Sequence, residues 1–396
     1  MLGSAHSTEA GLGWADTRVA DELDPTLYSG AAGIVLALLE GHRHFGDARY
    51  GDAALRGART IAAAVDEVEH CSLYFGLTGM AFALRTVERL LDDPAAGAAA
   101  DRALERVRGR FDGERWGDQF ELLGGNAGIA LGALSAGDVE LAVTAVTPYL
   151  RTAERTAGGV HWEVRSGLPA RFHHISHGTL GVVYALAAVG RAAGRSELTE
   201  LALAGAADVL ARDEAGPDGF LVPHSDPQHR PELIERYSYG WCHGPAGDAQ
   251  AFRLLAAVTG DPGWPALVDR CWHTVVSSGV PQRLRPGFWD NNGRCCGTAG
   301  VLALASDRHA ERDKDLAFAD VLVDDLAARA TVDADGVRWS NFEHRVTPST
   351  LEPRNGWAMG NAGIVRELLR YARISADGDP AYAVTWPDHP PLAPAV

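Results

Sequence analysis

The segment Arg294–Gly300, RCCGTAG, sets two cysteines side by side before a glycine pair, in a chain with only five cysteines. A disulfide between such neighbours would bridge Cα atoms one peptide apart and distort the peptide unit. Burial as small apolar side chains suits the isolated Cys71 and Cys271. It suits Cys295 and Cys296 less well, because consecutive residues rarely point into one core, whereas a loop can turn both toward one metal ion. Cys242, in GWCHGPAG, stands in the same setting. Cys242, Cys295 and Cys296 make three soft ligands and leave the fourth tetrahedral position to water or substrate, the pattern of a catalytic zinc site. Thiolates favour zinc over magnesium or calcium, so one Zn2+ per chain is the expected cofactor. His177, in ISHGTLG, directly precedes another glycine pair and is the candidate acid or base.

These residues share an offset because the chain repeats. A Gly-x-x-Gly pair followed by an apolar run recurs at Gly30, Gly76, Gly125, Gly178, Gly244, Gly297 and Gly360, with 46 to 66 residues between successive first glycines. Each interval has room for two helices and their loops. The runs that open at the glycines are apolar nearly all round, whereas the segments between them, such as YGDAALRGARTIAAAVDEV, carry apolar residues at three- and four-residue spacing among charges. That contrast predicts an all-α fold, an (α/α)7 toroid with buried inner helices and half-wet outer ones. Glycine permits a tight turn and close backbone approach at the axis. Seven helix N-termini, with their unpaired N–H groups, would then face one central cavity. Three consecutive repeats, the fourth to the sixth, place His177, His243 and Cys296 directly before their glycines.

The 396 residues are 46% hydrophobic and 22% charged, enough for a large core. A net charge of −16, with no Lys/Arg cluster to neutralise phosphates, argues against nucleic acid as partner. The N-terminal stretch lacks a basic region followed by an apolar run, and no stretch is long enough to span a membrane, so a cytoplasmic location is expected. Residues 1–26 read as a short or irregular N-terminal segment, 27–375 as one toroidal domain and 376–396 as a Pro-rich tail. The N-terminal stretch leaves little for a full first outer helix, so ring closure there is expected to be imperfect.

At WCHG and the Cys-Cys-Gly segment the chain resembles the lanthionine synthetase C-like cyclases, and the resemblance spans all seven repeats, from about Leu27 to Arg373. It implies a zinc enzyme that adds peptide cysteine thiols to dehydroalanine or dehydrobutyrine, closing thioether rings. By the same resemblance Cys242, Cys295 and Cys296 are the zinc ligands and His177 acts in proton transfer. Glu121 stands where the family often has aspartate, four residues before the third glycine pair. Ser238 stands where the cyclases of class I lanthipeptides have an arginine, four residues before the first zinc cysteine, with Arg236 as the nearby candidate substitute in catalysis. The implied partners are a dehydrated precursor peptide and a separate dehydratase, since no dehydratase-like segment is recognisable. A family member that adds glutathione, or one that only binds peptides, fits the same motifs. A prenyltransferase-like toroid lacks support in the sulfur-rich ligand set, and a glycosidase built on Asp290 would leave the cysteines without a role.

Overall fold

The structure, a computed structural model, describes residues 1–17, 19–20, 22–312 and 316–392. Seven largely buried helices form an inner ring: α1 (Ala31–Phe45), α3 (Leu77–Leu91), α5 (Asn126–Ser135), α8 (Thr179–Ala193), α10 (Pro245–Thr259), α12 (Thr298–Arg312) and α14 (Asn361–Ile374). Each opens at a glycine pair. The amphipathic segments form the outer layer: α2 (Ala48–Ala64), α4 (Pro94–Arg108), α6 (Val139–Val146) with the one-turn α7 (Tyr149–Thr152), α9 (Ser196–Leu210), α11 (Gly263–Ser277) and α13 (Ala317–Arg329). Every inner helix packs on the next, and α14 packs on α1, so the ring closes.

The glycine pairs owe their identity to crowding. A Cβ on the second glycine of any repeat would lie 1.8–2.5 Å from the carbonyl oxygen six residues earlier, and one on the first glycine would meet loop backbone at 1.9–2.6 Å. The second glycine also faces the preceding repeat, as Gly247 does Ile175 and Gly363 does Arg294. Loop and helix are therefore pressed together at the axis with no room for a side chain. The N-terminal N–H groups expected to be free are partly consumed here. Those of Ala31, Leu77, Leu180 and Asn361 donate to the carbonyls of Asp24, His70, His173 and Arg354.

A closed belt of backbone hydrogen bonds joins the seven loops. The N–H of Tyr28 donates to the carbonyl of Tyr74, Tyr74 to Leu123, Leu123 to Ser176, Ser176 to Cys242, Cys242 to Cys295, Cys295 to Ala358, and Ala358 back to Tyr28, at 2.8–3.3 Å. Each belt residue stands two places before its first glycine.

No outer helix pairs with α14 among the described residues; the two chain ends fill that seam. Asp16 pairs with Arg354 at 3.0 Å, and its carbonyl accepts from the N–H of Asn355. On the other side Glu40 of α1 accepts from Arg373 and, at 2.8 Å, from the N–H of Ala383. The segment read as a tail then runs inside the ring, its last four residues, 393–396, lying outside the described ones. Trp386 stacks on Trp357, with centroids 4.9 Å apart, and donates to Tyr74. Tyr74 in turn donates to the buried Asp388, and His389 lies 3.1 Å from Asp307 of α12. Although burial pushes Asp307 up, Arg253, His389 and Arg370 outweigh it and hold this carboxyl well below the usual range.

Two outcomes follow from these contacts. Gly247→Ala, whose new Cβ would sit 1.8 Å from the Trp241 oxygen, should lower unfolding stability by ~2–3 kcal/mol, whereas Gly3→Ala, with open space around it, should change denaturant midpoints negligibly. Burial raises Asp388 from 3.8 to about 6. The folded state thus holds this proton more tightly than the unfolded chain, and its contribution, about 3 kcal/mol, is present below pH ~4 and lost as pH rises through about 6. The stability difference between wild type and Asp388→Asn, followed by denaturant titration from pH 4 to 8, should change by that amount; a flat difference would contradict it.

Candidate metal centre

The belt sorts the side chains of each loop. Three places before the first glycine stand Leu27, Leu73, Leu122, Ile175, Trp241, Arg294 and Trp357, all buried toward the axis. The residues directly before the glycine are Ser29, Phe75, Gly124, His177, His243, Cys296 and Met359, and all but Gly124 are at least partly open to solvent. They form the mouth of the ring.

Cys242 and Cys295 are consecutive belt residues, joined by a 3.1 Å backbone hydrogen bond, and Cys296 is the adjoining residue of the mouth. The three sulfurs lie within 4.8 Å of one another, and among the described residues no other group of His, Cys, Asp or Glu side chains converges this way. Cys296 Sγ is 3.1 Å from Cys242 Sγ and 3.4 Å from Cys295 Sγ, a little shorter than the ~3.8 Å sulfur–sulfur edge of a tetrahedron with ~2.3 Å zinc–sulfur bonds. Hydrogen bonds from Cys242 and Cys296 hold the Cys295 thiol well below its ordinary range, while Cys242 is pushed well up. A soft trio with a solvent-open side suits a zinc ion, and Cys242, Cys295 and Cys296 are the residues that would hold it. Cys71 and Cys271 are buried elsewhere, and burial raises both thiols.

His177 stands at the mouth two loops from Cys296. Its Nδ1 is 3.2 Å from Glu121 Oε1 and 3.1 Å from Arg165 Nη2. One nitrogen cannot serve both at once. With the ring proton on Nε2 alone, Arg165 donates to the Nδ1 lone pair; with a proton on Nδ1, that N–H turns to Glu121. Glu121 is fully buried and is itself fixed by the backbone N–H groups of Leu123 and Gly124. The structure therefore brings together His177 and Glu121 as expected.

Arg236 is placed elsewhere. Its exposed guanidinium is held by Glu214 and the Tyr237 hydroxyl, and none of its contacts is with the cysteines or His177. The arginine that contacts His177 is Arg165. It comes from an irregular stretch whose backbone bridges Arg165 to Gln119, setting it beside Glu121. Sequence reading missed it because it lies outside the repeat offset, twelve residues before His177.

Further histidines crowd the same wall. His243 stacks on His224, with centroids 4.1 Å apart, and lies 5.4 Å from His177. Burial pushes His243 well down and His224 to about 3, so both are neutral. Behind them His174 Nδ1 is 2.8 Å from Asp248 of α10. Beneath the cysteines, Arg294 pairs with Glu367 at 3.2 Å and lies between the rings of Trp241 and Trp357. Asp290, the carboxylate of the glycosidase reading, accepts from the N–H of Gly287 and neighbours His344, away from this wall.

The sequence matches the family described as lanthionine synthetase C-like protein over residues 21–223 and 226–323. No curated protein matches it. Among solved structures nisin cyclase aligns with a TM-score of 0.64 and 16% identity, covering 88% of this chain and 89% of that one. The unsaturated glucuronyl hydrolase of Bacillus sp. GL1 aligns with a TM-score of 0.52 and 16% identity, covering 87% and 96%. At such identities the likeness is one of fold, a helical toroid common to both. The match over most of the chain, together with the seven-repeat ring and its Cys-Cys-Gly and WCHG loops, establishes that the protein belongs to the lanthionine synthetase C-like family.

Proposed function

We propose that the protein is a zinc-dependent lanthionine cyclase, acting on a precursor peptide that a separate dehydratase has dehydrated. The observation that carries this reading is the trio Cys242, Cys295 and Cys296 at the mouth of the ring, one wall away from His177. A free thiol, with a pKa of about 8.5, is mostly protonated near neutrality, and only the thiolate attacks well. A zinc ion bound there supplies the acidity that turns an incoming peptide cysteine into a thiolate.

The remaining steps belong to the protein. The sulfur forms a bond to the β-carbon of dehydroalanine or dehydrobutyrine as the C=C π pair shifts toward the carbonyl, giving an enolate. The thiol proton is returned to the α-carbon, so no atom is gained or lost. His177 carries that proton. A proton on Nδ1 is accepted by Glu121, and in that tautomer Nε2 is free to gain and lose the catalytic proton while the ring keeps its orientation; Arg165 flanks the same Nδ1. His224, buried, and His243, half-buried, line the approach without adding positive charge. Three thiolate ligands leave the site more anionic than a Cys-Cys-His set and the substrate sulfur more electron-rich.

The test is a dehydrated Ser/Thr/Cys peptide, its cyclisation read as loss of alkylatable thiol at constant mass. If added glutathione is consumed in place of the peptide's own cysteine, the activity is intermolecular thiol addition instead. Purified protein should hold about one zinc per chain, and Cys242→Ala, Cys295→Ala and Cys296→Ala should each release it; full zinc in all three variants would remove the metal assignment. His177→Asn should keep zinc and stability while slowing cyclisation by roughly 10²- to 10⁴-fold. Arg165→Gln should slow it less, and Arg236→Ala, whose guanidinium is held by Glu214 and Tyr237, should leave the rate unchanged. A rate untouched by His177→Asn would assign proton transfer to another group.

A further inference from the structure

We propose that Tyr28 is a positioning residue of the metal centre, its phenol reaching across the ring to donate a hydrogen bond to the Cys295 sulfur. This inference rests on the metal reading above and concerns how that site is held. Tyr28 belongs to the first repeat and Cys295 to the sixth, yet Tyr28 Oη lies 3.5 Å from Cys295 Sγ. The belt explains how they meet. Cys295 donates its N–H to Ala358, and Ala358 to Tyr28, so the two residues are next-but-one neighbours around the ring.

Between them stands alanine, fully buried, with no side chain beyond Cβ to block the path. On its other side the Tyr28 ring is held by Tyr74, edge-on at 6.2 Å, and by Phe75, tilted at 5.1 Å. Tyr74 is itself anchored from below by Trp386 and Asp388. The phenol therefore has a fixed direction.

A phenol with an ordinary pKa near 10 is a hydrogen-bond donor at neutral pH. A donor on a ligating thiolate withdraws charge from it and fixes its lone pairs, as outer partners do for metal ligands generally. In a site of three thiolates this matters, because excess negative charge weakens the site's hold on its own sulfurs. Cys242 and Cys296 bond each other, and Cys295 alone has an oxygen donor on its sulfur among the described residues.

The test replaces zinc with Co(II), whose thiolate charge-transfer band reports the energy of the sulfur lone pairs. Wild-type protein should show this band; its absence would overturn the metal reading and this one with it. In Tyr28→Phe the band should move to lower energy, and resistance to a competing chelator should fall about tenfold, the lower end of what an outer partner contributes. Thermal unfolding of the metal-free proteins should coincide, since the ring is retained. If Tyr28→Phe proves unstable, Phe75→Ala, at the partly exposed rim, loosens the ring without removing the hydroxyl and should shift the band part of the way. An unshifted band with unchanged metal affinity in a folded Tyr28→Phe, or in Phe75→Ala where that variant is the one measured, would overturn the proposal.

Discussion

Seven backbone hydrogen bonds running head to tail from Tyr28 round to Ala358 and back are the constraint on which this molecule depends. An isolated helical hairpin has no reason to hold its loop at a given height relative to its neighbour. The belt removes that freedom, because each loop must present one N–H to the next loop and one carbonyl to the previous one. Main-chain groups do this work, so the side chains of the belt are unconstrained by it. Tyrosine, leucine, serine, cysteine and alanine all occupy it. Two adjacent belt positions given to cysteine are therefore enough to set two sulfurs side by side, and the next residue of one loop adds the third.

That arrangement explains which features were legible beforehand. The glycine pairs recur because a Cβ at either position would strike backbone, and such a steric demand is visible in sequence wherever it applies. The same offset exposes Cys296, His177 and His243, and the family resemblance points to the buried Glu121, four residues before its own glycines. Arg165 was not, since it is delivered by a loop that follows no repeat and is fixed by pairing with Gln119. Arg236 is near Cys242 in sequence but is captured by Glu214 and Tyr237, a contact that no spacing encodes. Tyr28 acquires meaning only when the ring closes, bringing the first repeat within reach of the sixth. Closure itself was expected to be imperfect for want of an outer helix. The belt and the α14–α1 contact complete the inner ring, and the chain ends occupy the outer seam.

The proline-rich segment gave the least warning. Nothing in WPDHPP announces burial, yet Trp386, Asp388 and His389 are among the most enclosed residues of the chain. The axis accounts for this. The inner helices bury charged groups that need partners: Asp307, Arg366, Glu367 and Arg370. Unpaired, such groups are costly in a buried setting. The returning segment supplies His389 to Asp307, the Val384 carbonyl to Arg366, and the Tyr382 hydroxyl to Glu367 and Arg370. It completes the core that the helices leave open.

Core and mouth are thereby coupled through few intermediates. Asp388 and Trp386 hold the Tyr74 hydroxyl, Tyr74 flanks Tyr28, and Tyr28 meets Cys295. Arg294, directly before the cysteine pair, is clamped by Glu367, which Tyr382 also binds. A divalent ion held by the three thiolates would carry a net charge of −1, and a buried site of that charge would gain from fixed donors and cations that need not rearrange. Arg294 beneath, Arg165 beside His177 and the Tyr28 phenol would meet that need from three directions, while burial lowers His224 and His243. The environment of the sulfurs is thus set by residues from the first, sixth and seventh repeats and from the far end of the chain, which only a closed ring with a filled axis can bring together.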